Sequence, residues 1–188
     1  MCGVSGVLYK NSGSEGLAPI GRDLTNMLES MTHRGRDSSG VTVSGERLDG
    51  DLVIRIWANE PEGAQDVLAR SEDAVQQTGA VVRSSRSWGE FIRLAVDYEG
   101  EVSRLAQALL NTEGVELHSI GRASEVIKDV GTPAVMDGKH QVGQLQGTHG
   151  IGHVRMATES RVDISHAHPF WAYPFPDVTV VHNGQLTN

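Results

Sequence analysis

Alternating and helical patterns of apolar residues follow one another along the chain. Residues 2–9, CGVSGVLY, combine small and β-forming residues, which is typical of a strand. Apolar residues then recur every three or four positions along 17–34, which predicts an amphipathic helix. Two further apolar runs, 40–45 and 51–57, flank a short polar turn, and this pattern predicts that they form a pair of strands.

The middle of the chain has the pattern of a small inserted αβ unit. Residues 61–77 have helical spacing. A strand pattern at 91–99, a helix pattern at 101–114 and a strand pattern at 115–122 follow. The predicted fold class is therefore α+β, with one domain that covers the 188 residues and an αβ insertion at about 60–145.

Charge and cysteine content narrow the classes of function. The chain has 24 acidic and 16 basic residues, which gives a formal net charge of −8. No basic stripe follows a predicted helix, so neither nucleic acid nor a membrane is an expected partner. The single cysteine cannot form an internal disulfide, and the N-terminus lacks the pattern of a secretory signal. We therefore expect a cytoplasmic protein.

Cys2 is the only cysteine, and its place at the start of the chain allows a catalytic role. If Met1 is removed, Cys2 carries a free α-amine and a thiol on one residue. The ordinary pKa is about 8 for the amine and about 8.5 for the thiol, so the two can exchange a proton near neutral pH. An N-terminal residue with its own general base is a known route to acyl transfer. The alternative is an incidental small residue in a first strand.

Asn183 and Gly184 offer hydrogen-bond donors for the oxyanion that acyl transfer to a thiol creates. The side-chain amide of Asn183 and the backbone N–H of Gly184 lie in HNG, immediately after the apolar strand VTVV. An Asn-Gly pair is also one of the strongest turn signals, so a plain turn is the alternative at this position.

Arg155 stands in an otherwise apolar stretch, GHVRMAT, where an unmatched charge is costly. A guanidinium suits the α-carboxylate of an amino acid because it can donate two parallel hydrogen bonds. A structural ion pair is the alternative. In the segment HRGRDSSG, Arg34 and Asp37 are expected to organise the loop after the first helix. Gly35 and Gly40 are expected to be turn residues there.

Five motifs follow one another along the chain: MCGVSGVLY, MTHRGRDSSGV, GIGHVRMATES, AHPF and VVHNGQLTN. Together they resemble the class II glutamine amidotransferases, which are N-terminal-nucleophile hydrolases. RMATES and the middle segment IKDVGTP are most similar to the stand-alone amidotransferase subunits of glutamate synthase-like and N-methylglutamate synthase-like systems. Glucosamine-6-phosphate synthase and amidophosphoribosyltransferase are more distant. The resemblance implies a four-layer αββα sandwich with Cys2 at the end of an inner strand.

The resemblance also implies catalytic roles for three residues. Cys2, once it is the first residue, matches the family nucleophile, with its own amine as the base. Asn183 and Gly184 match the oxyanion hole. The implied reaction is the hydrolysis of L-glutamine to glutamate and ammonia through a thioester on Cys2. The ammonia passes to a synthase subunit or domain, and the half-reaction implies no cofactor and no metal.

Two further residues match positions that bind the substrate. Arg155 matches the arginine that holds the glutamine α-carboxylate, and Thr158 matches a residue near the bound substrate. The position after the arginine is often aromatic in the family and is Met156 here, so we expect a different pocket lining. The acidic residue that holds the substrate amine in the family would lie beyond Asn188. The chain is therefore expected to be an N-terminal portion, truncated before the end of the sandwich.

A zinc site is one alternative function, because the C-terminal region is rich in histidine: His149, His153, His166, His168 and His182. No cysteine lies near these residues in sequence, and their spacing matches no metal-ligand motif. We expect His153 and His168 to be structural histidines with hydrogen-bond partners.

A lipid anchor on Cys2 is a second alternative function. A strand pattern follows the cysteine directly, however, where a lipoprotein usually has a flexible polar tether. A non-catalytic glutamine-binding or regulatory module on the same fold is a third alternative, although a purely binding module has no need of a nucleophile.

Overall fold

The computed structural model describes residues 1–10, 16–45, 50–59, 63–157 and 161–184. Within these ranges the helices are α1 (Ile20–Ser30), α2 (Ala64–Gln77), α3 (Val102–Leu110) and α4 (Pro133–His140), with 3-10 helices at Thr32–Arg34 and Val142–Gln144. The strands are β1 (Gly3–Leu8), β2 (Ser38–Ser44), β3 (Leu52–Ala58), β4 (Val81–Trp88), β5 (Phe91–Asp97), β6 (Val115–Gly121), β7 (Ser124–Val130), β8 (His149–Arg155), β9 (Phe170–Trp171) and β10 (Thr179–Val180). The chain divides into two compact units, which are described separately below.

The first unit comprises Met1–Glu46, Val126–Phe170 and Thr179–Asn188. Its main sheet has the strand order β1-β8-β2-β7. Antiparallel pairing places Gly3 opposite Val154 and Ser38 opposite Arg155. The start of β1, the start of β2 and the end of β8 therefore meet at one end of this sheet.

Helix α1 packs on this sheet through one apolar stripe. Ile20, Leu24 and Leu28, spaced four residues apart, are completely buried in the core of the first unit. Glycines in β8 allow this close packing, since a β-carbon at Gly150 would lie 2.8 Å from a Leu24 methyl carbon. Burying each large aliphatic side chain contributes about 1.5–3 kcal/mol. The helix predicted along 17–34 is confirmed in its central part.

The predicted pairing of residues 40–45 with residues 51–57 is wrong. Strand β2 lies between β8 and β7, whereas β3 lies between β5 and β6 in another sheet. Both strands are almost wholly buried central strands. Their two backbone edges are already occupied by other strands, so closeness in sequence does not lead to pairing.

The second unit comprises Arg47–Glu125 and Trp171–Val178. Its elements run β3-α2-β4-β5-α3-β6, and the sheet order is β4-β5-β3-β6 with antiparallel neighbours. This is the split βαβ arrangement. Helices α2 and α3 bury Val67, Val75, Leu105 and Leu109 against the apolar face of the sheet.

Sequence patterns predicted several elements of the second unit. The helix at 61–77 is confirmed as α2, and the strand–helix–strand series at 91–122 is confirmed as β5, α3 and β6. Strand β4 was missed because it is an edge strand of mostly exposed and polar residues, VVRSSRSW, without an apolar pattern. The predicted boundaries of an insertion at about 60–145 stay a prediction.

Helices and mainly antiparallel sheets together confirm the α+β fold class. The four-layer αββα sandwich stays a prediction. Among the described residues, no helix has the length and apolar character needed to cross a membrane.

Candidate active site

Cys2 lies just before β1, at the end of the first unit's sheet where β8 also ends. Its thiol is partly exposed and its Sγ is 3.9 Å from the backbone oxygen of Met156. The backbone oxygen of Cys2 accepts hydrogen bonds from Asn183 Nδ2 at 2.9 Å and from Arg34 Nε at 3.2 Å. Three distant segments of the sequence therefore meet at Cys2.

The α-amine of the described chain belongs to Met1. This group lies 3.3 Å from Met156 Sδ, and Met1 is 78% exposed. An exposed first residue is open to an aminopeptidase. Removal of Met1 would place the α-amine on Cys2 itself.

Arg155 is the last residue of β8 and is only 7% exposed. Its Nη1 donates a hydrogen bond to the backbone oxygen of Arg161 at 3.1 Å. The pairing of Gly3 with Val154 brings Arg155 to the same end of neighbouring strands as Cys2. A buried guanidinium at the end of the sheet that also carries a thiol can bind the carboxylate of a substrate that the thiol attacks.

The segment from Gly35 to Asp37 holds the backbone around Arg155. The Asp37 N–H donates to the Arg155 carbonyl oxygen at 3.1 Å, and Asp37 Oδ2 accepts from the Ala157 N–H at 2.6 Å. Gly35 is extended, and a β-carbon on it would lie 2.4 Å from the Arg155 carbonyl carbon. Arg34 thus holds the backbone at Cys2, and Asp37 holds the backbone at Arg155. Sequence patterns did not indicate this role.

The sequence predicted that Gly40 is a turn residue. In the structure it lies within β2 instead. A β-carbon there would lie 2.0 Å from the His168 carbonyl oxygen. The position requires glycine because another segment of the backbone crosses the strand at that point.

The structure brings Asn183 to Cys2 through the hydrogen bond to the Cys2 backbone oxygen. Gly184 follows Asn183 in an irregular segment, and a β-carbon on it would lie 3.0 Å from His182 Cε1. Thr158, predicted to lie near the substrate, falls outside the described residues.

His153 and His168 form a stacked pair close to this site, with ring centroids 4.3 Å apart. Burial lowers the pKa of His153 to about 4, and burial also lowers the pKa of His168 to about 4, with nearby cationic groups adding to both shifts. Both rings are therefore neutral at physiological pH.

A metal site gains no support from the described part of the chain. Within residues 1–10, 16–45, 50–59, 63–157 and 161–184, no group of three or more His, Cys, Asp or Glu side chains is arranged to hold a metal ion. The zinc alternative therefore has no geometric basis in this part of the molecule.

Comparisons with known proteins reveal two relatives that match along the whole chain. A protein of Methanothermobacter thermautotrophicus described as a glutamine amidotransferase is 34% identical, and the match covers 100% of this chain and 62% of the relative. The glutamine amidotransferase-like protein GlxB of Rhizobium meliloti is 33% identical, with coverage of 100% and 60%. This chain thus spans less than two thirds of either relative.

A shorter match is to a protein whose name is not glutamine amidotransferase. Amidophosphoribosyltransferase of Haemophilus influenzae is 49% identical over 45 residues, which are 24% of this chain and 9% of that protein. No protein-family model matches the chain. Similarity along the whole chain to two proteins that carry the name supports a relationship to the glutamine amidotransferases.

Proposed function

We propose that this chain carries the glutaminase site of a class II glutamine amidotransferase and is the N-terminal portion of its four-layer αββα domain. The observation that carries the proposal is the hydrogen bond of 2.9 Å between Asn183 Nδ2 and the Cys2 backbone oxygen. This contact supports the proposal because the proposed oxyanion donor and the proposed nucleophile, which are 181 positions apart in sequence, are in direct contact.

The proposed chemistry begins after Met1 is removed. The Cys2 α-amine takes the thiol proton, and the thiolate attacks the γ-carbonyl carbon of glutamine. A tetrahedral oxyanion forms, and its collapse breaks the C–N bond and releases ammonia with the proton returned by the amine. Water then attacks the γ-glutamyl thioester, which releases glutamate and restores the thiol.

Asn183 and Gly184 stabilise the oxyanion in this proposal. The Asn183 amide has two N–H bonds, so it can keep its contact with the Cys2 backbone oxygen while the second N–H donates to the oxyanion. The Gly184 backbone N–H is the second proposed donor. Removal of one such donor typically lowers kcat by about 10²- to 10³-fold.

Arg155 binds the α-carboxylate of glutamine in this proposal, with Thr158 nearby. Its guanidinium has five N–H groups in a planar fork, which suits a carboxylate at the end of β8. Burial of the side chain strengthens this interaction because less water competes for the carboxylate.

The acceptor of ammonia is proposed to be a synthase subunit or domain of the glutamate synthase-like or N-methylglutamate synthase-like kind. The relatives named as glutamine amidotransferases extend well beyond the matched region, since the match covers 62% and 60% of their lengths. The half-reaction requires no cofactor. The single cysteine favours a reducing compartment, so we place the reaction in the cytoplasm.

The test is intact-mass measurement of the purified chain before and after exposure to an electrophilic glutamine analogue. We expect loss of Met1 and addition of one label, blocked by excess glutamine and absent from Cys2→Ala. Cys2→Ala is a suitable control because the side chain is small and partly exposed, so the fold tolerates its loss.

Two results would contradict the proposal. A Cys2→Ala protein that still hydrolyses glutamine would exclude the thioester mechanism. A processed chain that binds glutamine in calorimetry but takes no label would favour the non-catalytic binding module instead.

A further inference from the structure

The backbone of His182, the residue before Asn183, is held by two side chains. Strand β10 ends at Val180, so the pairing of β10 does not reach His182. The His182 carbonyl oxygen lies 3.0 Å from His153 Nε2, and the His182 N–H donates to His168 Nδ1 at 3.2 Å. The backbone N–H and the carbonyl oxygen of His182 thus each have an imidazole as hydrogen-bond partner.

The partners of these hydrogen bonds determine the tautomer of each ring. A carbonyl oxygen can only accept, so His153 Nε2 carries a proton and donates it. A backbone N–H can only donate, so His168 Nδ1 is bare and the proton of this neutral ring lies on Nε2. His153 is 1% exposed, and among the described residues its Nδ1 has no hydrogen-bond partner, as suits a neutral ring.

Gly40 provides the space in which the two rings stack. It lies opposite His153 in the β2–β8 register, and a β-carbon on it would lie 2.0 Å from the His168 carbonyl oxygen. Because residue 40 has no side chain, the His168 backbone can cross β2 and its ring can stack on His153.

We infer that His153 and His168 are positioning residues that hold the His182 backbone and thereby keep the Asn183 amide at Cys2. The inference rests on the proposed function. The contacts are continuous from the imidazoles to Cys2. The imidazole pair contacts the His182 backbone, and the next residue, Asn183, donates from Nδ2 to the Cys2 backbone oxygen at 2.9 Å. Oxyanion donors act only when they are held within about 0.5 Å of the position from which they reach the developing charge at hydrogen-bond distance.

This role predicts a particular kinetic signature. The segment interacts with the oxyanion, which exists only in the transition state and the tetrahedral intermediate. Loosening it therefore lowers kcat while KM for glutamine changes little. We expect kcat to fall by roughly 10- to 100-fold, less than the full loss of an oxyanion donor.

Paired substitutions separate positioning from simple packing. His153→Gln keeps an N–H donor near the place of Nε2, whereas His153→Leu removes it. His168→Asn keeps an acceptor near the place of Nδ1, whereas His168→Leu removes it. His149→Leu is the matched control, because His149 is an exposed histidine at the opposite end of the same strand.

Two readouts are measured on the full 188-residue chain: glutaminase kinetics and hydrogen exchange of the His182 amide by NMR. We expect both leucine variants to lose kcat with KM within threefold of wild type, and to exchange the His182 amide at least tenfold faster. The kcat of the Gln and Asn variants should be at least tenfold higher than the kcat of the leucine variants at the same positions. His149→Leu should match wild type in both readouts.

Several results would overturn the inference. These are leucine variants with wild-type kcat, a change confined to KM, or a His182 amide that is unprotected in wild type. If a leucine variant does not fold, His153→Asn and His168→Gln replace it, since they keep an amide but place it at the wrong ring position. If wild type lacks glutaminase activity, the proposed function fails, and the exchange rates alone then decide whether the imidazoles hold His182.

Discussion

Gly35 packs so closely on the Arg155 backbone that a β-carbon on it would lie 2.4 Å from the Arg155 carbonyl carbon and 2.6 Å from its oxygen. Both atoms belong to backbone, so they cannot move aside as the end of a flexible side chain can. The requirement for glycine at this position is therefore steric, since its φ of −173° is available to any residue. This contact fixes the end of β8, where Arg155, the residue proposed to bind the substrate carboxylate, lies.

Gly35→Ala should displace Arg155 and weaken glutamine binding. Overpacking of this kind costs about 1–3 kcal/mol of stability, and a shifted guanidinium should raise KM or lower kcat/KM by at least tenfold. Steady-state glutaminase kinetics and urea unfolding measure the two effects. Gly138→Ala is the matched control, because a β-carbon there meets nothing within 4 Å and lies in helix α4, where alanine is preferred.

Arg155→Lys should raise KM for glutamine about 10- to 100-fold, with a smaller effect on kcat. Lysine keeps the charge but loses the planar fork, and a charge-assisted hydrogen bond is worth about 1.5–3 kcal/mol. Arg104→Lys, on an exposed position of α3, should leave both constants unchanged. Equal KM values for the Arg155→Lys and wild-type proteins would remove this residue from the binding site.

Stability should fall as the pH is lowered from about 7 to 5. Burial lowers the pKa of His153 and of His168 from 6.5 to about 4, and the nearby Lys128, Arg155 and His182 add to the shifts. The unfolded chain therefore binds more protons than the folded chain in this window, so protonation favours unfolding. For His153 alone the loss is about 2 kcal/mol between pH 7 and pH 5.

Urea unfolding at several pH values tests this dependence. His153→Gln lacks one titrating group, so its stability should depend on pH less steeply than that of wild type. Asp129 and Glu125 have lowered pKa values, so these carboxyl groups affect stability only below the ordinary pKa range of carboxyl groups. That range lies at lower pH than the window of the histidines. A stability that is constant from pH 7 to pH 5 would mean that the imidazoles are not buried in neutral form.

Glu125→Gln should destabilise the second unit by about 3–5 kcal/mol. Arg55 Nε lies 2.5 Å and Arg93 Nε 3.0 Å from Glu125 Oε2, and all three side chains are at most 15% exposed. Burial alone would raise the pKa of Glu125, but the two guanidiniums outweigh it and the net pKa is lowered, so the carboxylate is charged. Its loss leaves two buried cations without their common partner.

An exposed ion pair supplies the control for this substitution. Arg83 pairs with Asp97 on the surface of the same sheet, with side chains 60% and 30% exposed. Arg83→Gln should therefore cost less than about 1 kcal/mol. Thermal or urea unfolding of both variants compares the two pairs, and equal losses would contradict the importance of burial for the Glu125 cluster.

Local patterns in the sequence determined most helices and strands of this protein. Helix α1 was predictable because Ile20, Leu24 and Leu28 recur at the period of a helix face, and α2 and α3 have comparable spacing. Motifs around Cys2, Arg155 and Asn183 named the candidate site. Strand β4 escaped prediction because most of its residues are exposed, so burial imposes no apolar pattern on it.

Only the tertiary structure decided which segments meet. Strands β2 and β3 belong to different sheets, and Gly40 lies in a strand, because hydrogen bonding and close packing involve partners far away in sequence. Arg34 and Asp37 contact the Cys2 and Arg155 backbone for the same reason. A single sequence encodes the local period of apolar residues, but contacts across more than a hundred positions arise only when the chain folds.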